Sequence, residues 1–166
     1  PTLPVGAYAY SQALEFAVET DWVSDRSSAY EWMSGQLKAT LGRLEAPICM
    51  RLFSAFSEPD LAGVVYWNHF LLSSRETSEL LLEDQQLGQA LTRLLNDLEL
   101  ELPAALRGES IAYLTAFAFA AHSWSIPLHQ ALPGFLWNWC DNQVSALIKL
   151  MPFGQTDGQR LLASLV

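Results

Sequence analysis

The sequence is poor in positive charge. Its 166 residues contain 9 Lys and Arg against 18 Asp and Glu, which gives a formal net charge of −9, and the basic residues form no run. Nucleic acids and anionic membrane surfaces are bound mainly through clustered Lys and Arg side chains. The composition therefore argues against either of them as a partner.

Cysteines and long apolar runs are also scarce. Cys49 and Cys140 stand far apart, without a His or Cys at metal-ligand spacing, so a disulfide framework or a zinc site is not indicated. The apolar stretch 111–124 is shorter than a bilayer span and contains polar residues, which is typical of a buried helix. No secretory signal pattern opens the chain at Pro1, so we expect a cytoplasmic protein, present as a fragment or trimmed product.

The residue patterns of common catalytic sites are missing. No Gly-Lys-Ser/Thr triplet occurs, and the glycines never take the dinucleotide-binding spacing. His69, His122 and His129 form no i, i+4 pair with one another or with Cys, which a helical metal site would need. Glu76, Glu79 and Glu83 share a helix face and could hold a hard cation, but carboxylates at a helix N-terminus are the more ordinary interpretation. We predict no enzyme, no metal and no cofactor.

Apolar residues, by contrast, are abundant and recur with helical spacing. They make up 51% of the chain against 16% charged residues, so we expect a partner to cover part of an unusually apolar surface. Tyr30, Met33, Leu37, Leu41 and Leu44 follow one another at intervals of three and four. Convincing two-residue alternation is missing, so the prediction is an all-α, single-domain helical bundle over residues 1–166.

Prolines and capping residues set the predicted helix boundaries. Asp25, Ser27 and Ser28 are all candidate caps for one helix and Asp60 is a candidate cap for another, while Pro47 ends one helix and opens the next. Pro127 and Pro133 frame an irregular connection before a helix at 135–150. A capping-box pattern over 156–159 then predicts a last helix from 160 to 166.

The heptapeptide Lys149–Gln155, which reads Lys-Leu-Met-Pro-Phe-Gly-Gln, closes the predicted long helix. Lys149 suits the negative end of the helix dipole, and Pro152 and Gly154 stop the helix. The segment is either a plain terminator with one hydrophobic contact or a corner that presents Lys149, Phe153 and Gln155 to a partner.

Four stretches together resemble a known family. These are 3–15, Glu19 to Val23, Ser74 to Leu80 with its Ser-Arg-Glu-Thr-x-Glu-Leu pattern, and Lys149–Gln155. In this order they resemble the UreF family of urease accessory proteins, over essentially the whole chain. The end at Val166 departs from the family, which continues into a C-terminal tail. We expect a UreF-like domain that lacks the family's N-terminal start and its tail.

The resemblance implies an all-helical cytoplasmic protein, commonly a homodimer, that is not itself catalytic. It implies binding to a UreD-type (or UreH-type) accessory protein and to the nickel-carrying GTPase UreG, with apo-urease as the common target. Residues matching the family signatures are candidate partner contacts, although each could be structural instead. They are Lys149, Pro152, Phe153, Gly154, Gln155, Arg75, Glu76, Glu79, Tyr10, Ser11, Gln12 and Glu15.

Two other hypotheses stay open. Aromatic-rich segments around Phe117, Trp124 and Trp137 could line a pocket in a helical enzyme or a carrier of an apolar small molecule. A plain oligomerisation domain would dimerise without using the Lys149 corner. A deep apolar pocket with convergent polar groups would favour the carrier.

Overall fold

The computed structural model describes residues 13–165, and all of the regular secondary structure in that range is helical. The prediction of an all-α protein is therefore confirmed. A π-helix, Leu37–Glu45, follows α2, and a 3-10 turn, Ala104–Leu106, follows α5. The α-helices are α1 (Leu14–Glu19), α2 (Arg26–Gln36), α3 (Ala46–Ser57), α4 (Leu61–Ser73), α5 (Ser78–Asp97), α6 (Tyr113–Ser123), α7 (Leu128–Leu150) and α8 (Gln155–Ser164).

The described chain forms two compact units. Residues 44–132 make up the first, here called the central unit, and residues 13–43 together with 133–165 make up the second, called the terminal unit. The single-domain organisation suggested by the chain length stays a prediction. Over the described range, no helix combines the length and apolar character needed to cross a membrane.

Helix α6 is the most buried element of the central unit. It packs against both α3 and α5, and Leu114, Ala116 and Ala118 are almost completely buried. Small alanine side chains let neighbouring helices approach closely, which increases the dispersion contacts of the larger residues around them. The buried helix predicted for the apolar stretch 111–124 is thus present, with neighbouring helices on two sides.

The approach to α6 is held by side chains from α4 and α5. The Asn68 side-chain amide donates to the Ser110 carbonyl at 2.8 Å, and its Oδ1 accepts the Ala112 N–H at 2.9 Å. Asp84 Oδ1 accepts the Tyr113 N–H at 2.7 Å. Buried backbone groups outside a helix need such partners, and Asn68 itself is fully buried.

The terminal unit has its own hydrophobic core, to which α1, α2, α7 and α8 contribute. Gly158 brings α8 close to α7, because a Cβ at this position would lie 2.6 Å from Ile148 Cδ1 and 3.1 Å from Val144 Cγ1. The buried core residues are Leu14, Ala17, Val23, Ala29, Met33, Cys140, Val144, Ala146, Leu147, Leu161 and Leu162.

Several helix starts are those expected from capping chemistry. Asp25 accepts the Ser28 N–H at 2.8 Å in a complete capping box, and Asp60 accepts the Gly63 N–H at 3.0 Å. At α5 the cap is Thr77, which accepts the Leu80 N–H at 3.2 Å. These local bonds satisfy N–H groups that the first helical turn leaves without a partner.

Three predicted boundaries are wrong. Pro47 lies in the first turn of α3, as predicted, but it does not end a helix, since the π-helix continues into α3 through Glu45, which has φ −65° and ψ −45°. A π turn is wider than an α turn and leaves more room for the proline ring against the preceding carbonyls. Pro133 lies inside α7, in its second turn, and His129, whose carbonyl would otherwise accept the N–H of position 133, is an exposed residue.

The third error concerns α8. This helix begins at Gln155 with Gly154 as its N-cap, which makes no side-chain cap bond, so 156–159 is helix interior and not a capping box. The earlier start places Gly158 on the face that meets α7. Tertiary packing has therefore overridden the local capping signal.

Replacing Gly88 with Ala tests the close approach of α5 to the start of α6. A Cβ at Gly88 would stand in overlap with the Ile111 carbonyl oxygen, so Gly88→Ala should lower the free energy of unfolding by about 2 kcal/mol or more. The control is Gly134→Ala in α7, where nothing lies within 4 Å and better helix propensity should raise stability by about 0.5 kcal/mol. Urea unfolding measures both, and equal effects would contradict the proposed packing.

Candidate functional site

The Lys149–Gln155 corner joins α7 to α8 in the terminal unit. The Met151 N–H donates to the Leu147 carbonyl at 3.0 Å, which closes the last turn of α7. The Phe153 N–H donates to the Met151 carbonyl at 2.7 Å, and the Gly154 carbonyl accepts the Asp157 N–H at 3.0 Å as α8 begins. The corner is thus a hydrogen-bonded turn between two helices.

Its side chains separate into an outer and an inner group. Lys149, Pro152, Gly154 and Gln155 are exposed, whereas Phe153 is half-buried and packs with Met151 against the core of the terminal unit. Phe153 therefore anchors the corner, and the exposed surface is made by Lys149 and Gln155 beside it. The corner that presents Phe153 to a partner was one of two interpretations of this segment, and the half-buried side chain is only partly accessible for such a contact.

The signature around Arg75 contains a buried ion cluster in the central unit. Arg75 Nη1 donates to Glu45 Oε1 at 2.7 Å, and Arg75 Nε donates to Asp84 Oδ2 at 2.8 Å. The side chains of Glu45 and Asp84 are 8% and 7% exposed, and that of Arg75 is 16% exposed. We call these three residues the Arg75 cluster.

The Arg75 cluster has more negative than positive charge. Burial alone lowers the pKa of Arg75, but Asp84 and Glu45 more than offset this, so that its pKa lies above the ordinary value and the guanidinium stays charged. The second oxygen of Glu45, Oε2, is buried without a hydrogen-bond partner. Both carboxylates thus depend on one guanidinium, and the fork geometry of Arg serves them together.

The carboxylates next to this cluster are divided between surface and interior. Glu76 and Glu79 are exposed at the start of α5, while Glu83 is buried one turn later. Hydrogen bonds from its own backbone N–H and from the Thr77 and Ser78 side chains lower the pKa of Glu79. Across residues 13–165, no three His, Cys, Asp or Glu side chains come together as a metal site would require.

The first signature is covered only in part. Glu15 is exposed on α1, next to the buried Leu14. Tyr10, Ser11 and Gln12 lie outside the described residues. Their assignment as partner contacts stays a prediction.

The two cysteines are poor candidates for chemistry. Both are buried, and burial raises the pKa of the Cys49 thiol to about 12 and that of the Cys140 thiol to about 11. A thiol with so high a pKa forms little of the reactive thiolate at neutral pH. Both cysteines are therefore interpreted as small apolar residues of the core.

An open groove in the central unit was not expected from the sequence. It has a volume of about 490 Å³ and is bordered by the exposed Met50 and by Phe53, His122 and Ile126. A pocket for a small molecule encloses most of its ligand, whereas this groove is open to solvent. The groove therefore does not supply the enclosed cavity that the carrier hypothesis requires.

The sequence did not predict that Glu45 and Asp84 pair with Arg75, or that Asn68 binds the residues at the start of α6. Glu45 lies 30 positions from Arg75, and Asn68 lies 42 from Ser110, so local patterns could not pair them. Two features of the sequence could have indicated the buried ion cluster. Arg75 lies in the link before α5, and Asp84 occupies a position of α5 at which the helical spacing predicts an apolar residue.

Removing the Arg75 guanidinium tests whether this signature residue has a structural role. Arg75→Met should lower the free energy of unfolding by about 3 kcal/mol or more, because it leaves two buried carboxylates without their shared donor. Arg107→Met is the control, since Arg107 forms a 3.5 Å pair with Glu101 in which both side chains are exposed; it should change stability by less than about 0.5 kcal/mol. Similar effects in urea unfolding would contradict the structural role.

The chain matches known proteins over most of its length. The UreF family model matches residues 23–166. A urease accessory protein UreF from Alkalilimnicola ehrlichii is 48% identical over 163 residues, covering 98% of this chain and 72% of the relative. Relatives of the same name from Psychrobacter cryohalolentis and Azoarcus sp. are each 46% identical, covering 97% and 99% of this chain and 70% and 73% of their own lengths.

The family match includes the Arg75 cluster, Glu76 and Glu79, and the whole Lys149–Gln155 corner. The relatives align with almost the full chain, so the agreement does not rest on one motif. The chain belongs to the UreF family.

Proposed function

We propose that this chain assists the maturation of urease as a non-catalytic scaffold. It binds a UreD-type (or UreH-type) accessory protein and a UreG-type GTPase, and it couples the state of the GTPase to nickel insertion into apo-urease. The names of its relatives support a role in urease assembly. The exposed Lys149 at a rigid corner is the observation that carries the assignment of a contact surface.

The corner has the properties of a preorganised contact. Its backbone is fixed by the hydrogen bonds that end α7 and begin α8, and Phe153 ties it to the core. A cation held on a rigid element loses less conformational entropy on binding than one on a loose loop. We assign Lys149 and Gln155 to the GTPase-facing surface, with Pro152, Phe153 and Gly154 shaping it.

The second signature supplies a negatively charged surface. Glu76 is exposed just before α5 and Glu79 is exposed in its first turn, and the Arg75 cluster joins this segment to the interior through Asp84 of α5. Arg75 supports this surface from within, and the two glutamates make the contact. We assign Glu15 to a further contact on α1.

The chain also presents much apolar surface for an assembly. Tyr66, Phe70, Leu82 and Trp137 are all more than 40% exposed. Patches of this kind are typical of protein interfaces, and they support a homodimer within a larger complex. The partners and the dimer belong to the same proposal.

Lys149→Ala tests the corner. The dissociation constant for the UreG-type GTPase, measured with the UreD-type partner present, should rise about tenfold or more, as is common for a charged residue at the centre of an interface. Lys38→Ala is the matched control, because Lys38 is an exposed cation in the same unit that lies on the π-helix and not in the corner. Unchanged binding by Lys149→Ala, in a variant that folds normally, would remove the corner from the interface.

The double substitution Glu76→Gln and Glu79→Gln tests the second surface. Both residues are exposed, so stability should change little, while complex formation should weaken and lose part of its salt dependence. Co-purification with the two partners at low and high salt measures this. A variant that assembles like the parent at both salt concentrations would show that the two glutamates make no contact and that only the structural role of Arg75 remains for this signature.

A further inference from the structure

An exposed group of aromatic rings lies on the terminal unit, where α1 turns into α2. The Phe16 and Trp22 rings meet edge to face, with centroids 5.7 Å apart, and the Trp22 and Trp32 rings are 6.5 Å apart. Phe16 is 55% exposed and Trp22 is 63% exposed. We call Phe16, Trp22 and Trp32 the aromatic cluster.

The chain holds Trp22 at the surface by fixing the residues around it. Asp21 has a φ of 61°, and its N–H donates to the Val18 carbonyl at 3.1 Å. Val23 is buried, and its N–H donates to the Ala17 carbonyl at 2.9 Å. Val23 is thus held in the core, and the neighbouring Trp22 is exposed on the same hydrogen-bonded turn.

The next turn is equally constrained. The Asp25 capping box fixes the start of α2 three residues after Trp22, and Trp32 on α2 packs against the buried core. Exposing a large apolar ring on a rigid turn costs free energy, since its burial would release about 2 kcal/mol. Rigid aromatic side chains of this kind are typical interface anchors.

The segment that carries this cluster is rich in carboxylates. The segment 13–32 contains Glu15, Glu19, Asp21, Asp25 and Glu31, with Arg26 as its one basic residue. Asp21 precedes Trp22 directly, and Glu19 lies three positions after Phe16 on the same helix. All five carboxylate residues are exposed.

We propose that the aromatic cluster docks a basic and apolar segment of a protein partner, whose Arg or Lys side chains stack on the rings and pair with the neighbouring carboxylates. An indole face attracts a cation, most strongly when the pair is shielded from water. The central unit contains such a pair, in which the Arg51 guanidinium lies 4.7 Å from the Trp67 ring centroid. The ring neighbours of Trp22 are the aromatic side chains of Phe16 and Trp32, so the partner would supply the cation.

The charge of the segment selects this occupant over others. A second copy using the same surface would bring like carboxylates together across a two-fold axis, which repels. Nucleic acid and anionic lipid would be repelled for the same reason. This docking surface is independent of the Lys149 corner, which presents the opposite charge, and it does not rest on the proposed function.

The test uses the whole chain and a synthetic amphipathic helical peptide that contains Arg and Leu. Binding, followed by tryptophan fluorescence and calorimetry, should weaken about tenfold in Trp22→Ala. The double variant Glu19→Gln and Asp21→Asn keeps the rings, and Asn tolerates the positive φ at position 21. It should weaken binding about threefold at low salt and very little at high salt, because exposed charges are screened.

The matched control is on α7, where the exposed Trp137 has Asp141 one turn away. Trp137→Ala and Asp141→Asn should leave peptide binding within about twofold of the parent chain. Equal binding of a peptide with Glu in place of Arg, or no loss in Trp22→Ala, would overturn the proposal. Self-association that Trp22→Ala abolishes would also overturn it, in favour of a second copy.

Discussion

The two hydrogen bonds from Arg75 to Glu45 and Asp84 are the interaction on which the central unit depends. Glu45 ends the π-helix, Arg75 lies between α4 and α5, and Asp84 lies on α5. Through its other oxygen, Asp84 also fixes the first N–H of α6. One guanidinium thus connects the end of the π-helix, the link between α4 and α5, and α5 itself, and loss of either contact leaves a buried carboxylate without this donor.

This dependence explains why a family signature can mix interior and surface roles. Arg75 is enclosed, while Glu76 and Glu79 next to it are exposed. The ion cluster sets the position of the α5 N-terminus, and the α5 N-terminus sets the position of the two glutamates. The Lys149–Gln155 corner has the same construction, because the half-buried Phe153 supports its exposed neighbours.

Local patterns predicted the helices well because helical periodicity and capping act over a few residues. The caps at Asp25 and Asp60 and the buried faces of α6 are of this kind. Prediction failed where packing outweighed a local signal, as at Pro47, at Pro133 and at the start of α8. Of the candidate site, the exposed Lys149 followed from its place in a helix end, but the partners of Arg75 did not, because they depend on tertiary contacts.

The hydrogen bonds that Asn68 and Asp84 make with the start of α6 also bear on the order in which the unit folds. These bonds give partners to backbone groups at 110–113 from side chains that are 42, 44 and 29 positions away. The backbone groups therefore remain hydrated until α4 and α5 are in place. Closing loops of this length before the contacts form costs entropy. Helix α6, the most buried element of the unit, is therefore expected to enter it late, after the two helices that precede it have formed its binding site.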